Sequence, residues 1–184
     1  MKETKLSWHH IECLTQDILR QMQQDQWQPD YVVGLTRGGL TPAVLISQYL
    51  GIPMYALKIS LRDGNDDSES NLWMSEEAFG YVSEQEQETL GSRWDPDHRK
   101  KILIVDDIND SGATLKWLIQ DWQSTCLPNQ VDTWNTVWNR NVKFAVLVNN
   151  TTSEFQGVDY QAMTVNKLDD PQWIVFPWED FWQR

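Results

Sequence analysis

Two adjacent carboxylates, Asp106 and Asp107, end a short apolar run in the second half of the sequence. The run, Ile102 to Val105, is β-branched and too short for a helix, which predicts a buried parallel strand. Open α/β sheets bind their ligands at the carboxyl ends of such strands. The acidic pair therefore predicts a binding site at this strand end.

A loop of small residues follows the acidic pair and leads into an amphipathic helix. The loop is Asp110-Ser111-Gly112-Ala113-Thr114. Unsatisfied N–H groups at the start of a helix, together with the helix dipole, favour a phosphate. Carboxylates beside a phosphate would repel it unless a cation lay between them, so the pattern indicates Mg²⁺ held through oxygens and water. The alternative interpretation is an acidic turn in which Asp110 or Ser111 caps the helix.

An earlier segment has the same order of strand, tight turn and helix. Its turn contains Thr36, Arg37, Gly38 and Gly39, about seventy residues before the acidic pair. The two glycines let the backbone approach a ligand closely, and Arg37 supplies a fixed cation. In the helix that follows we expect Thr41 as the N-cap, Gly51 as the stop signal, and a buried face. That face is predicted to contain Val44, Leu45 and Tyr49. Alone, the Arg-Gly-Gly sequence is weak evidence, and an ordinary structural turn is the favoured interpretation.

Near the carboxyl end, Trp173 and Glu179 belong to the segment Trp-Ile-Val-Phe-Pro-Trp-Glu. A flat heteroaromatic base needs an aromatic face for stacking and polar groups at its edge for orientation. We expect Trp173 to provide such a face. The alternative is that the aromatic residues seal the edge of the core, which is our interpretation of Trp178.

Together these segments resemble the type I phosphoribosyltransferases, with the match running from Tyr31 to Glu179 except in the middle. The resemblance implies that 110–114 wrap the 5′-phosphate of phosphoribosyl pyrophosphate (PRPP), while Asp106 and Asp107 hold the ribose hydroxyls directly or through Mg²⁺. Residues 36–39 resemble the pyrophosphate loop, in which the family often has a non-proline cis peptide, here near Thr36-Arg37. Asp110 would exchange a proton with the base, and Arg37 would neutralise the leaving pyrophosphate.

Within that family the chain resembles the short microbial xanthine, hypoxanthine and guanine enzymes, which implies a purine base, with six-oxopurines favoured. The same resemblance implies that Glu179 lies near the edge of the base. Those enzymes have a lysine that binds the six-oxo group, at the end of the strand preceding the base segment. Here the strand expected over 142–149 ends in Asn149 and Asn150, so these amides are predicted to contact the base. Adenine or a non-purine base stays open as the substrate, and so does a PRPP- or nucleotide-binding regulatory protein.

The alternation of expected strands and helices predicts one α/β domain over 1–184, with a doubly wound, mostly parallel sheet. The expected elements are helices 7–24, 41–50 and 112–123, with strands 31–35, 53–60, 101–106 and 142–149. Between them, 61–97 contains eleven acids and two arginines. We expect 61–99 to form a flexible acidic hood loop like the one that closes over the site in the family. Its aromatic residues predict some packing.

The net charge of −12 argues against nonspecific binding to nucleic acid, which requires a basic face. No apolar run is long enough to cross a membrane, and the first residues do not resemble a secretion signal. Cys13 and Cys126 lack a disulfide pattern, which favours the cytoplasm. We further expect a homo-oligomer, either a dimer or a tetramer.

Overall fold

The computed structural model describes residues 2–59, 71–126 and 131–179. Within them, strands are β1 (Lys2–Lys5), β2 (Tyr31–Leu35), β3 (Met54–Leu57), β4 (Ile102–Asn109), β5 (Val142–Asn150), β6 (Tyr160–Val165) and β7 (Gln172–Val175). Helices are α1 (Trp8–Gln24), α2 (Leu40–Leu50), α3 (Leu72–Phe79), α4 (Gln87–Leu90), α5 (Ala113–Thr125) and α6 (Val131–Trp134).

Five strands form a parallel sheet in the order β3-β2-β4-β5-β6. This confirms the predicted α/β class and the doubly wound parallel sheet. The central strands β2, β4 and β5 are almost completely buried because helices cover both faces. Because β4 and β2 neighbour each other, the loops after them meet at one edge of the sheet.

Alternate residues of the central strands pack into two separate apolar layers. On one face Leu103 and Val105 pack with residues of α1 and α2 such as Ile18 and Ile46. On the other face Ile104 packs with residues of α3, α5 and α6, including Phe79, Leu118 and Trp134. Tryptophans 122, 134 and 138 are stacked in this second layer, which accounts for part of the high tryptophan content.

The local signals at helix ends are only partly as predicted. Ser7 caps α1, since its hydroxyl accepts a hydrogen bond from the His10 N–H at 3.2 Å. Gly51 ends α2 with a φ of 68°, as expected. The N-cap of α2 is Gly39, however, and Thr41 lies inside the helix. The helix thus begins two residues early, because the Gly38-Gly39 turn leads straight into it.

The predicted buried face of α2 is wrong. Val44, Leu45 and Tyr49 are exposed, by 44%, 41% and 72% respectively, and Ala43 and Ile46 occupy the core instead. The earlier start of the helix does not explain this difference. Both faces of α2 are apolar, so the sequence pattern alone could not decide which one meets the sheet.

Part of the predicted hood loop is regular structure. Residues 61–70 lie outside the described range, but α3 places Met74, Ala78 and Phe79 in the core. Burial of these apolar side chains holds α3 against α5 and the sheet. The part of the segment formed by α3 is therefore a packed helix, whereas residues 83–99 are exposed or half-buried and contain only short helical turns such as α4.

A second, two-stranded sheet joins the two ends of the described chain. Strand β1 pairs in parallel with β7, bringing Glu3 opposite Trp173. Thr4 Oγ1 donates to Gln172 Oε1 at 2.7 Å, and the Leu6 N–H donates to the Val175 carbonyl at 2.9 Å. The first strand thus fixes the segment that was predicted to bind a base. Among the described helices, none combines the length and apolar character required to cross a bilayer.

Candidate active site

The acidic pair lies near the carboxyl end of β4, two residues before the strand stops. Backbone hydrogen bonds orient both side chains: Asp106 Oδ1 accepts from the Asp107 N–H at 2.9 Å, and Asp107 Oδ1 accepts from the Ile108 N–H at 2.8 Å. Both carboxylates line one large cavity of about 1230 Å³. The strand is longer than predicted, so the pair belongs to the rigid sheet rather than to the loop.

The turn after β2 lies directly against the acidic pair. A β-carbon built on Gly38 would lie 1.8 Å from Asp107 Oδ2, and one built on Gly39 would lie 2.3 Å from the Val105 carbonyl oxygen. Only glycine allows this approach at both positions. The peptide between Thr36 and Arg37 is cis, where the resemblance to the pyrophosphate loop placed it. Arg37 lines the cavity beside the acidic pair.

The loop 110–114 forms the adjacent wall of the cavity. Gly112 has a φ of 86° and is the N-cap of α5, so the helix starts at Ala113 with its N–H groups at the cavity. The Ala113 N–H donates to Ser111 Oγ at 3.3 Å. Ser111 thus contributes to the helix start, as the alternative interpretation proposed, although all five loop residues line the cavity. The loop has the geometry of an anion-binding helix start.

Trp173 lies across the cavity on β7 and is 45% exposed. Glu179 also lines the cavity, but its Oε2 accepts a hydrogen bond from the Phe176 N–H at 3.0 Å and so closes the turn at 176–179. Trp178 stacks on Phe176, with ring centroids 4.9 Å apart and an interplanar angle of 10°. The arrangement leaves Trp173 as the broad aromatic face available to a flat ligand.

Lys167, which the sequence reasoning missed, lies between Trp173 and the loop 110–114. Its Nζ is 2.8 Å from Asp110 Oδ2 and 5.8 Å from the centroid of the Trp173 ring. A signal was present in the sequence, because Lys167 follows β6 and precedes Trp173 by six residues. The signal was missed because β6 was not recognised as a strand. Lys58, after β3, is a further cation in the cavity wall.

The structure places Asn149 and Asn150 away from the cavity lining among the described residues. Asn149 Oδ1 accepts from the Asn109 amide at 2.8 Å, and the Asn149 amide donates to Gln161 Oε1. Asn150 is buried, and its amide donates to the Asp110 carbonyl oxygen at 3.1 Å. Their partners hold both side chains within the sheet edge and the loop, so neither amide faces the cavity in this structure.

The cavity is thus lined by nearly every residue that the sequence predicted to bind PRPP. Gly39 is the exception, since it lies beneath the turn against Val105. Three cations and four carboxylates face the same space: Arg37, Lys58 and Lys167, with Asp106, Asp107, Asp110 and Glu179. This mixture suits a ligand with several phosphates that carries a divalent cation.

The described residues contain no group of three or more His, Cys, Asp or Glu side chains that could hold a metal unaided. An oxygen-only pair such as Asp106 and Asp107 nevertheless fits Mg²⁺, which is bound through one or two carboxylates plus water and substrate phosphates. Cys126 is buried, and burial raises its pKa to about 12, so it stays a thiol and does not act as a nucleophile.

A five-stranded parallel sheet with an acidic strand end, a glycine turn and an anion-binding helix start defines an α/β protein with a phosphate-binding site at the carboxyl edge of its sheet. The sequence model of the phosphoribosyl transferase domain matches residues 2–180. The chain belongs to this family.

Two relatives are similar to the chain in sequence, and one solved structure is similar to it in fold. The chain is 24% identical over 200 residues to xanthine phosphoribosyltransferase 1 of Saccharomyces cerevisiae, covering 95% of this chain and 88% of the yeast protein. It is 27% identical over 148 residues to xanthine-guanine phosphoribosyltransferase of Cereibacter sphaeroides, covering 80% and 68%. The fold is similar to that of purine phosphoribosyltransferase from Pyrococcus horikoshii, with a TM-score of 0.62, 23% identity and coverage of 98% and 97%.

Proposed function

We propose that this protein joins a purine base, a six-oxopurine in preference, to PRPP and releases pyrophosphate. One observation carries the proposal: an aromatic face, Trp173, lies in the same cavity as the anion-binding loop 110–114 and the acidic pair. The base and the sugar phosphate can therefore be bound side by side. The names of the yeast and Cereibacter relatives, which act on xanthine or guanine, support a purine.

In this proposal each wall of the cavity binds a different part of PRPP. The N–H groups and hydroxyls of 110–114 bind the 5′-phosphate, and Asp106 and Asp107 bind the ribose hydroxyls. Arg37 binds the pyrophosphate and stabilises the charge that it gains on leaving. Mg²⁺, when bound at the acidic pair, supplies further neutralisation of the pyrophosphate.

Transfer breaks the bond from the anomeric carbon of the ribose to pyrophosphate and forms a bond to a ring nitrogen of the base. Because positive charge develops on the sugar ring, catalysis depends on positioning and on charge stabilisation. Asp110 takes the proton that the base nitrogen loses. Its carboxylate lies on the Trp173 side of the loop, next to Lys167, where a stacked base would be.

The cellular setting is part of the proposal. A cytoplasmic location is supported by the free Cys13 and Cys126 and by the metabolic family. A homo-oligomer is supported by the exposed apolar face of α2, with Val44, Leu45 and Tyr49. A nucleotide sensor is less favoured because the chain is strongly acidic, at −12.

The direct test is nucleotide formation from PRPP with hypoxanthine, guanine, xanthine and adenine, measured with and without Mg²⁺. We expect turnover of the oxo-bearing purines. If no purine reacts while PRPP still binds, the purine assignment is wrong, and the remaining candidates are a phosphoribosyltransferase for a non-purine base and a PRPP- or nucleotide-binding regulator. If adenine is the best substrate, the preference for six-oxopurines is wrong.

A further inference from the structure

The loop 110–114 is held by residues 150–155, which follow β5 and which we call the support segment. The carbonyl oxygens of Asp110 and Ser111 each accept a hydrogen bond from this segment at 3.1 Å, one from a side-chain amide and one from a backbone N–H. A β-carbon built on Gly112 would lie 2.5 Å from a backbone nitrogen of the same segment. Three consecutive residues of the loop are therefore in contact with it.

The two hydrogen bonds determine the direction of the N–H groups in the loop. The Asp110 carbonyl shares a peptide plane with the Ser111 N–H, and the Ser111 carbonyl shares one with the Gly112 N–H. Both peptides are trans, so in each of them the C=O and the N–H point in opposite directions. Because both carbonyls point to the support segment, both N–H groups point away from it, to the side on which the loop lines the cavity.

The support segment is fixed in turn by Asn109, the last residue of β4. The Asn109 amide donates to the Phe155 carbonyl oxygen at 2.9 Å and to Asn149 Oδ1 at 2.8 Å. Its Oδ1 accepts from Ser153 Oγ at 2.9 Å, and Ser153 Oγ accepts from the Phe155 N–H at 3.2 Å. The Asn109 side chain thus uses both its donors and its acceptor oxygen to connect β4 to the support segment.

We propose that Asn109 and Ser153 are positioning residues for the 5′-phosphate, because they hold the support segment that orients the N–H groups of 110–114. This inference rests on the proposed function, in which that loop binds the 5′-phosphate. Asn109 and Ser153 are only 2% and 5% exposed, and their polar atoms are bonded to the protein, so they act through the loop. Donors that are already oriented bind an anion without first having to reorganise.

The test uses two ligands that differ in the 5′-phosphate. PRPP carries this group, whereas inorganic pyrophosphate lacks it and, in the proposed function, binds at Arg37. Misdirected N–H groups in 110–114 should therefore weaken the binding of PRPP and spare pyrophosphate. A purely structural role would lower the melting temperature without this selectivity. Calorimetric titrations with Mg²⁺ present give both values of Kd.

Ser153→Ala is the milder variant, since it removes one hydroxyl group and its two hydrogen bonds. We expect the Kd of PRPP to rise roughly tenfold and that of pyrophosphate to change by less than about twofold. Ser47→Ala is the matched control. Ser47 is 7% exposed, and its hydroxyl donates to the Ile52 carbonyl oxygen at 2.7 Å, in the last turns of α2 and away from the cavity lining. This control should alter neither Kd.

Asn109→Leu removes all the contacts of the Asn109 side chain, and Asn141→Leu is its control. Asn141 is also buried, and its amide donates to the carbonyl oxygens of Ala78 and Lys100 at 2.7 and 3.1 Å, just before β5 begins. We expect Asn109→Leu to raise the Kd of PRPP at least as much as Ser153→Ala does, again with little effect on pyrophosphate. Asn141→Leu should change stability alone.

The outcomes separate this inference from the proposed function. PRPP affinity within twofold of wild type in folded Ser153→Ala, or a parallel loss of PRPP and pyrophosphate affinity, would overturn the positioning role. A wild type that binds PRPP but forms no nucleotide from any purine would overturn the proposed function, while the same Kd values would still decide the role of Asn109 and Ser153. A wild type that does not bind PRPP would overturn both.

Discussion

Gly38 and Asp107 are in such close contact that a β-carbon on Gly38 would lie 1.8 Å from Asp107 Oδ2. Gly38 does not have a positive φ, so its backbone conformation allows alanine. The added methyl group would instead collide with the carboxylate of Asp107. In Gly38→Ala the carboxylate of Asp107 has to move. We expect PRPP affinity to fall at least tenfold, on the order of 1.4 kcal/mol, with little change in melting temperature.

Gly51→Ala is the control for this prediction. Gly51 has a φ of 68°, and nothing lies within 4 Å of a β-carbon there. We expect a loss of roughly 1 kcal/mol in the free energy of unfolding, since alanine is strained in this conformation, and unchanged PRPP affinity. The two variants thus separate a binding defect from a folding defect. Equal PRPP affinity in Gly38→Ala and wild type would show that Asp107 does not contact PRPP or its metal.

Replacing both Asp106 and Asp107 by asparagine should weaken PRPP binding well over tenfold and remove its dependence on Mg²⁺. The asparagine oxygens can still accept the backbone hydrogen bonds at 2.9 and 2.8 Å, so we expect the fold to survive. Calorimetric titration of PRPP with and without Mg²⁺ measures both effects. A double variant that binds PRPP as tightly as the wild type, with the same dependence on Mg²⁺, would contradict the assignment of this pair.

Asp110→Asn should separate the chemical step from binding. Asparagine can still accept hydrogen bonds from Asn150 and Lys167, but it cannot take a proton. We expect kcat to fall roughly 10²- to 10⁴-fold with little change in PRPP affinity. Steady-state kinetics and PRPP titration together give the comparison. Parallel losses in rate and affinity would mean that Asp110 holds the loop together and is not the proton acceptor.

Asp159 predicts a pH dependence of stability. Its Oδ2 accepts from the Phe144 N–H at 2.8 Å, and burial raises its pKa to about 6, a rise that the nearby Lys143 opposes and Asp25 reinforces. A raised folded-state pKa means that the native state binds the proton more tightly than the unfolded state. The stabilisation is therefore present at low pH and lost as pH rises through about 6.

Asp159→Asn should then gain stability relative to wild type as pH rises from 5.0 to 7.5. Because the side chain is partly solvated, we expect a relative gain of about 1 kcal/mol in the free energy of unfolding. Urea titrations at both pH values measure it. Asp132→Asn, at an exposed position on α6, controls for the loss of one charge. A constant difference between Asp159→Asn and wild type across this range would refute the prediction.

The exposed apolar face of α2 predicts an interface between copies of this chain. Leu45→Glu would bury an unpaired charge in such an interface and should shift the molar mass toward that of a monomer. Analytical ultracentrifugation measures the shift. Gln16→Glu adds the same charge at an exposed position of α1 and should leave the mass unchanged. A monomeric wild type would remove the basis for the expected homo-oligomer.

The sequence correctly predicted those features that depend on residues close together in the chain. The order strand, loop, helix around Asp106 and around Arg37 depends on apolar runs, glycines and helix starts within about twenty residues, and both units have the predicted order of elements. The acidic pair and the loops meet because neighbouring parallel strands end at the same edge. The alternation of strands and helices in the sequence is enough to predict that these segments meet at one edge of the sheet.

The features that the sequence did not predict depend on contacts between elements distant in the chain, which no local pattern encodes. The short strand β6 has mixed polarity, so Lys167 was not recognised at its end and Asn149 was assigned to the base instead. The orientation of α2 could not be derived because both of its faces are apolar. The acidic composition of 61–97 indicated a loop, although the segment also contains the apolar residues of α3. These residues pack against α5 only in the folded chain.

The pairing of β1 with β7 sets an order for assembly of the cavity. Lys2 and Gln172 are partners across 170 positions of the chain, whereas the two loops proposed to bind PRPP belong to adjacent strands and lie within residues 36–114. Closing so long a connection carries a larger entropic cost, and contacts of this kind form late. During synthesis Trp173 emerges after both of these loops. We therefore expect the sugar-phosphate side of the cavity to form first and the aromatic wall to be completed last.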